Sequence, residues 1–389
     1  MSNSQTPHNQ EKLVPVTGLG ASAGGLEPFK EFFTRVLPDT RYAYVMVPHL
    51  NKHHKSMLRD IIARETVLPV IEVTVEEHLQ PGHVYIVPPN RYLNIEGNRV
   101  FAQKEPEQRH LHLPIDYFFY ALAQTRREQA VAIILSGTLS DGVAGLRKIK
   151  EAGGLVLAQS PDSARFKYMP DNAIKAGLVD EVLPVAQMPA VVEKYLLNHI
   201  SLTGKQVSKT IEEHFVAQIC HVLQEAVSFD LSPYRSNLTR RRALRRMSLK
   251  NITAEADYLH LLQHSPKECI DLVTDCLAVA VSFFQYEPEW EELSRQVLLP
   301  LLKAAHSERP VRVWVPACAT GEEACTIMIL LHEAAGQLQK QLHVQLFATD
   351  VNENALNFAR KGLYSPGMVQ GVSPERLQKY FTRKQDLYA

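Results

Sequence analysis

Short apolar runs alternating with helical stretches constrain the first half of this chain more than any other feature. Val14–Leu19, Ala43–Val47, Pro69–Val73, Tyr85–Val87, Ala130–Leu135 and Leu155–Ala158 are compact runs rich in β-branched and aromatic residues. Between them, stretches such as Leu26–Val36 and Ile115–Arg126 repeat at helical period. This order predicts an α/β domain over residues 13–195, built on a doubly wound, mostly parallel sheet. Leu93–Ile95 and Val100–Ala102, around Glu96-Gly97-Asn98, predict a small hairpin. The polar stretch at 196–209 predicts a linker. From 210 to 282 strand signals vanish, and HFVAQICHVLQEAV, LTRRRALRRMSLK, ADYLHLLQH and KECIDLVTDCLAV all read as helices. Residues 283–389 return to alternation at VRVWV and VQLFATD, the opening of a second α/β domain.

Composition narrows the function classes. The 389 residues suffice for two or three domains. Lys+Arg and Asp+Glu both number 42, so the formal net charge is zero, which argues against bulk nucleic-acid or anionic-membrane binding. No apolar run is long enough to cross a bilayer, and the polar start MSNSQTPHNQEK lacks a signal peptide's apolar core. Cys220, Cys269, Cys276, Cys318 and Cys325 form no C-x-x-C pair and read as reduced thiols of a cytoplasmic protein.

One candidate site follows the first strand. Gly20-Ala21-Ser22-Ala23-Gly24 fits G-x-S-x-G, a sharp strand-to-helix turn that presents a serine hydroxyl. The helix start beyond it offers N–H groups suited to a developing oxyanion. Gly18, Gly20 and Ala23 also fit a G-x-G-x-x-A dinucleotide loop. That alternative wants a carboxylate after the second strand, where this chain has Pro48-His49. A histidine there can deprotonate a serine. The loop Ser136-Gly137-Thr138-Leu139-Ser140-Asp141-Gly142 follows the strand AVAIIL and supplies an acid to orient the imidazole. The plain alternatives are a helix N-cap for Ser22, a turn residue for Asp141, and a surface or metal-binding pair for His49 with His53.

These residues lie in segments that resemble a known family. GLGASAGGLEPFKEFF, VPHLNKHHKSML, VYIVPPN, LPIDYFF, LSGTLSDGVAGLRKIKEAGG and MPDNAIKAGLVDEVLP resemble the catalytic domain of bacterial chemotaxis protein-glutamate methylesterases, the CheB type, over nearly all of residues 13–195. The resemblance implies Ser22 as nucleophile, His49 as base and Asp141 as its orienting acid. It implies hydrolysis of γ-glutamyl methyl esters on receptor helices, with glutamine deamidation often beside it and no cofactor. Methyl-accepting chemotaxis receptors are the expected partners, with sensor kinase or response-regulator proteins as further ones. Family members commonly carry an N-terminal receiver domain, and the dozen residues before the first strand are too few for one.

The second half holds another candidate site. Five arginines crowd Arg240-Arg241-Arg242-Ala243-Leu244-Arg245-Arg246, which predicts either a solvated helix face or a dock for an acidic helix or phosphate. Pro316-Ala317-Cys318-Ala319-Thr320-Gly321-Glu322-Glu323 follows a strand as a nucleotide loop would, and Asp350 ends the next strand where a ribose is held. YRSNLTRRRALRRM, DYLHLLQ, VSFFQYEPEWEEL, VWVPACATGEEACTIMILL and FATDVNENALNFARKGLYS resemble the CheR-type chemotaxis receptor methyltransferases over residues 210–389. The resemblance implies a Rossmann-like domain with S-adenosylmethionine at Glu322, Glu323 and Asp350. The family's N-x-T-x-F-F-R motif stands here with Val279, Val281 and Gln285 around Phe283-Phe284. With those contacts gone and the chain ending at Ala389, weak or absent cofactor binding and an incomplete methyltransferase are expected. A receptor-binding scaffold without turnover is the alternative; a broken triad would mark it, and these three residues are present.

Overall fold

The computed structural model describes residues 13–49, 57–104, 112–203, 208–277, 281–305, 309–341 and 343–389. The central sheet takes β1 (Val16–Ala21), β2 (Ala43–Pro48), β3 (Val70–Glu72), β5 (Val84–Ile86), β8 (Ala130–Ile134), β9 (Leu155–Gln159) and β10 (Glu181–Leu183). Their order is β10-β9-β8-β1-β2-β5-β3, and every pairing is parallel. The chain leaves β1 toward β2 on one side and returns to β8 on the other, so the winding reverses at β1. Ligands of open parallel sheets bind at such a reversal, beyond the carboxyl ends of the strands. A three-stranded antiparallel sheet, β4 (Glu76–His78), β6 (Tyr92–Glu96) and β7 (Arg99–Gln103), contains the expected hairpin. β4 and β10 are only three residues long and carry acidic residues, so neither produces an apolar run.

β1, β2, β8 and β9 are buried at every position, which is why they read as continuous apolar runs. One face packs on α3 (Pro114–Arg126), α4 (Val143–Ala152) and α5 (Tyr168–Lys175), through Phe118, Phe119, Leu146, Ile149 and Met169. The other packs on α1 (Leu26–Phe33), α2 (Leu58–Glu65) and α6 (Met188–Thr203), through Phe29, Phe32, Ile62, Val192 and Leu196.

The expected linker at 196–209 is largely helix, because α6 continues to Thr203. Val192, Tyr195, Leu196, His199 and Leu202 keep helical spacing and are buried, while the intervening residues supply the polarity that suggested a linker. Leu202 reaches the core of the helical module, α7 (Lys209–Val227), α8 (Ser236–Lys250), α9 (Glu255–His264) and α10 (Pro266–Cys276).

Of the expectations for the arginine run, the solvated face does not hold for its buried members, and the dock for an acidic helix is met within the chain, by Glu268, Asp271 and Asp275 of α10. On α8, Arg242, Arg245 and Arg246 are buried at 5%, 1% and 7% exposure; Arg242 and Arg245 join the helical module to the first domain, while Arg246 pairs with Glu268 and Asp271 of α10. Arg245 pairs with Asp180 at 2.5 Å and with Asp275 of its own module. Lys150 pairs with the same two carboxylates. Arg242 donates to the carbonyls of Lys150 and Glu151, at the open C-terminal end of α4. The basic helix thus spends its charge inside the molecule.

The last segment begins with α11 (Glu287–Leu293), which runs through a π-helical turn at Ser294–Leu298 into α12 (Leu299–Ala304). β11 (Val311–Pro316) and β12 (Val344–Thr349) pair in parallel around α13 (Glu322–Gln337). α14 (Glu353–Lys361), α15 (Pro374–Tyr380) and a two-residue-stranded hairpin, β13 (Arg383–Lys384) and β14 (Leu387–Tyr388), close the chain described. Their core gathers Phe283, Phe284, Leu302, Leu331, Tyr364 and Val369.

Candidate active site

Ser22 and His49 emerge from neighbouring strands at one rung of the sheet. β1 and β2 pair in register as far as Ala21 and Pro48, and the His49 amide donates to the Ala21 carbonyl at 2.8 Å. On the other side, the Ser22 amide donates to the Ser136 carbonyl at 3.0 Å. The turn after Ser22 closes with the Gly25 amide on the Ser22 carbonyl at 3.0 Å. Gly24 must be glycine for two reasons. Its φ is +73°, and a Cβ would stand 2.9 Å from Ser136 Oγ and 2.8 Å from the Phe166 ring. Gly137 is equally confined, since a Cβ there would meet Ser22 Cβ at 3.0 Å and overlap Met169. The serine therefore sits in a turn whose path is set by backbone hydrogen bonds and by the absence of side chains.

The His49 ring has its Nε2 3.2 Å from the His112 carbonyl oxygen. With Nε2 protonated and donating there, Nδ1 is left with the lone pair that a general base needs. His112 stands edge-on to His49 with ring centroids 5.2 Å apart, and its own Nδ1 lies 2.9 Å from the Tyr92 hydroxyl. That hydroxyl accepts from the Leu113 amide at 3.2 Å. The segment before α3 is thus tied to β6 on one side and to the histidine on the other.

Asp141 is 2% exposed and caps α3: its Oδ2 accepts from the Ile115 amide at 3.1 Å and its Oδ1 from the Asp116 amide at 2.9 Å. Asp116 returns the service to α4, its Oδ1 accepting from the Gly145 amide at 2.7 Å. Each helix start is capped by an acid from the start of the other. Asp141 therefore bonds the same short segment, residues 112–116, whose His112 carbonyl receives the His49 ring. Among the described residues, that carbonyl is the hydrogen-bond partner of the imidazole. Sequence reasoning missed His112 and Asp116. Asp116 had a signal, an acid in the first turn of a helix begun by Pro114, and His112 had none beyond its place just before that turn.

His53, the other half of the metal pair considered above, lies outside the described residues. Among those described, no group of three or more His, Cys, Asp or Glu side chains is arranged to hold a metal ion. No helix among them is long and apolar enough to cross a membrane.

The family of CheB methylesterases matches residues 17–192. A putative protein-glutamate methylesterase/protein-glutamine glutaminase of Leptospira interrogans is 32% identical over 181 residues, which cover 46% of this chain and 92% of that protein. The chain belongs to the CheB methylesterase family. Its later parts match two CheR descriptions, the all-alpha domain at residues 216–277 and the SAM binding domain at 280–389. An uncharacterized 104.1 kDa protein of Rhodobacter capsulatus is 30% identical over 354 residues, 85% of this chain, and the chain spans 37% of its length. A protein-glutamate methylesterase/protein-glutamine glutaminase of Photorhabdus laumondii is 32% identical over 184 residues, and the chain spans 51% of it. Among solved structures, the CheB methylesterase catalytic domain of Thermotoga maritima is similar with a TM-score of 0.43 and 26% identity, over 46% of this chain and 97% of that one.

In the CheR half, the structure brings Glu322 and Asp350 to one loop. Asp350 accepts from the Ala319 amide at 2.8 Å and from the Asn352 amide at 2.7 Å, and each oxygen keeps a lone pair for a ribose hydroxyl. That end fits S-adenosylmethionine. The methionine end does not fit in this arrangement. Glu322 is 1% exposed, accepts from Thr320 Oγ1 and faces Arg147 of the CheB half at 3.6 Å. Glu323 is half-buried, and burial pushes its carboxyl up from the ordinary value. Val279 lies outside the described residues. Val281 offers no polar contact to a ligand, and Gln285 is exposed, its carbonyl accepting from Trp290 Nε1.

Proposed function

We propose that the CheB half hydrolyses γ-glutamyl methyl esters on the helices of methyl-accepting chemotaxis receptors. Ser22 Oγ attacks the ester carbonyl while His49 takes the hydroxyl proton. Collapse of the tetrahedral adduct expels methoxide, which leaves as methanol with that same proton. Water, deprotonated by His49, then attacks the acyl-serine, releasing the glutamate carboxylate and restoring Ser22. Asp141 acts by holding the 112–116 segment against the imidazole. The carrying observation is the single rung that sets Ser22 beside His49, with the imidazole oriented by a carbonyl. The same steps with ammonia as leaving group would deamidate receptor glutamines, the second activity in the relatives' names. The CheR half is read as a methyltransferase domain whose cofactor binds weakly.

The test is Ser22→Ala. Methanol release from methylated receptor should fall by about 10⁴–10⁶-fold with the thermal unfolding curve unchanged. Turnover within about tenfold of the parent would remove Ser22 from the chemistry.

A further inference from the structure

Arg147 belongs to α4 of the CheB half, yet its head lies in the CheR half. Nη1 donates to Thr320 Oγ1 at 2.6 Å and stands 3.6 Å from Glu322 Oε1. Nη2 points to Met368 Sδ at 3.7 Å, and the guanidinium lies over the Phe358 ring, 5.0 Å from its centroid. Both partners are out of water, Arg147 at 7% and Glu322 at 1% exposure. A cavity of about 370 Å³ adjoins Arg147, walled by Asp116, Gly145 and Arg147 itself on one side and by Val281, Met368 and Gly371 on the other. The CheB half therefore supplies one wall of this cavity, and through Arg147 it also touches the nucleotide loop at Thr320.

We propose that Arg147 is a latch between the halves: it occupies Glu322, so domain docking and S-adenosylmethionine binding exclude one another. The inference rests on reading residues 280–389 as a cofactor domain. The argument is one of charge. A methionine ammonium needs a carboxylate, and the carboxylate nearest the start of α13 is already neutralised by a guanidinium. A second cation beside it would face like-charge repulsion in a site where little water screens it. The incoming ligand must displace Arg147, and a guanidinium cannot stay buried without its partner. It regains water only if α4 and α13 separate. By linkage, whatever holds the halves together weakens the cofactor by the same factor that the cofactor weakens their contact.

Isothermal titration of S-adenosylmethionine into the full chain compares the parent with Arg147→Gln and Arg147→Lys. Arg147→Gln should bind about tenfold tighter or better, within the usual range of coupling between sites. Arg147→Lys keeps a cation but loses the planar fork, and it guards against misfolding of the glutamine variant; a smaller gain of the same sign is expected. Hydrogen exchange at residues 319–323 should quicken in both variants, and in the parent when cofactor is added. If the parent binds measurably and neither variant gains, the latch is wrong and the cofactor domain stands. Weaker binding by Arg147→Gln would also overturn it, making Arg147 a ligand contact. If no form binds, latch and cofactor reading fall together.

Discussion

Asp141 joins an observed structural duty to the catalytic one proposed for it. Its carboxylate accepts two backbone amides at the start of α3, so Asp141→Asn sets an NH₂ donor against one of those N–H groups. Unfolding in urea should show a loss of about 1–3 kcal/mol. Ester turnover should drop by about 10³–10⁴-fold, less than for Ser22→Ala, because the nucleophile and base remain. A variant with full stability but lost turnover would show that the cap contributes little. Ser22, His49 and Asp141 were legible as candidates because each follows a strand recognisable as an apolar run, and strand ends gather in a parallel sheet. The His112 carbonyl was not legible, since every residue has a carbonyl and only folding selects which one meets a ring. Arg147 gave no signal either: its partners lie more than 170 residues away along the chain, at Thr320 and Glu322.

At the scale of elements, α4 is held at three points. Asp116 caps its start, Arg242 covers its end, and Arg147 projects from its middle into the CheR half. Helical period predicted α8 correctly as a helix but could not say what its arginines face, because a buried and a solvated basic stripe have the same spacing. Likewise α6 carries its buried Leu202 past the point where polar composition suggested a linker. Arg245→Ala is the informative change on α8. It leaves Asp180 and Asp275 in a buried junction with Lys150 as their shared cation, and removing one member of such a set costs about 3–5 kcal/mol. Chemical denaturation should record that loss with the helical content retained. A cost below about 1 kcal/mol would mean that water already reaches the junction.

The whole molecule should be sensitive to acid in two stages. His199 on α6 is 3% exposed and stacks on Tyr195; burial pushes its pKa down to about 4 from the ordinary 6.5. It stays neutral in the fold but takes a proton when unfolded, so stability falls as pH drops from about 6.5 to 4, by about 3 kcal/mol in all. Burial alone would raise Asp180, but Arg245 and Lys150 override it and hold that carboxyl well below the ordinary 3.8. Its contribution is present above that value and is lost only below it. Thermal melts from pH 7 to 4 should therefore decline, and His199→Phe should flatten the decline; an unchanged slope would exclude His199 as its source. Lys150, Asp180, Arg245 and Asp275 alternate in sign around a square that spans the junction. Cut between the halves, the square divides into Lys150 with Asp180 on one piece and Arg245 with Asp275 on the other, two neutral couples. Within this square neither piece would inherit an orphan charge, so these four residues hold the junction together without setting a net charge on either of its faces.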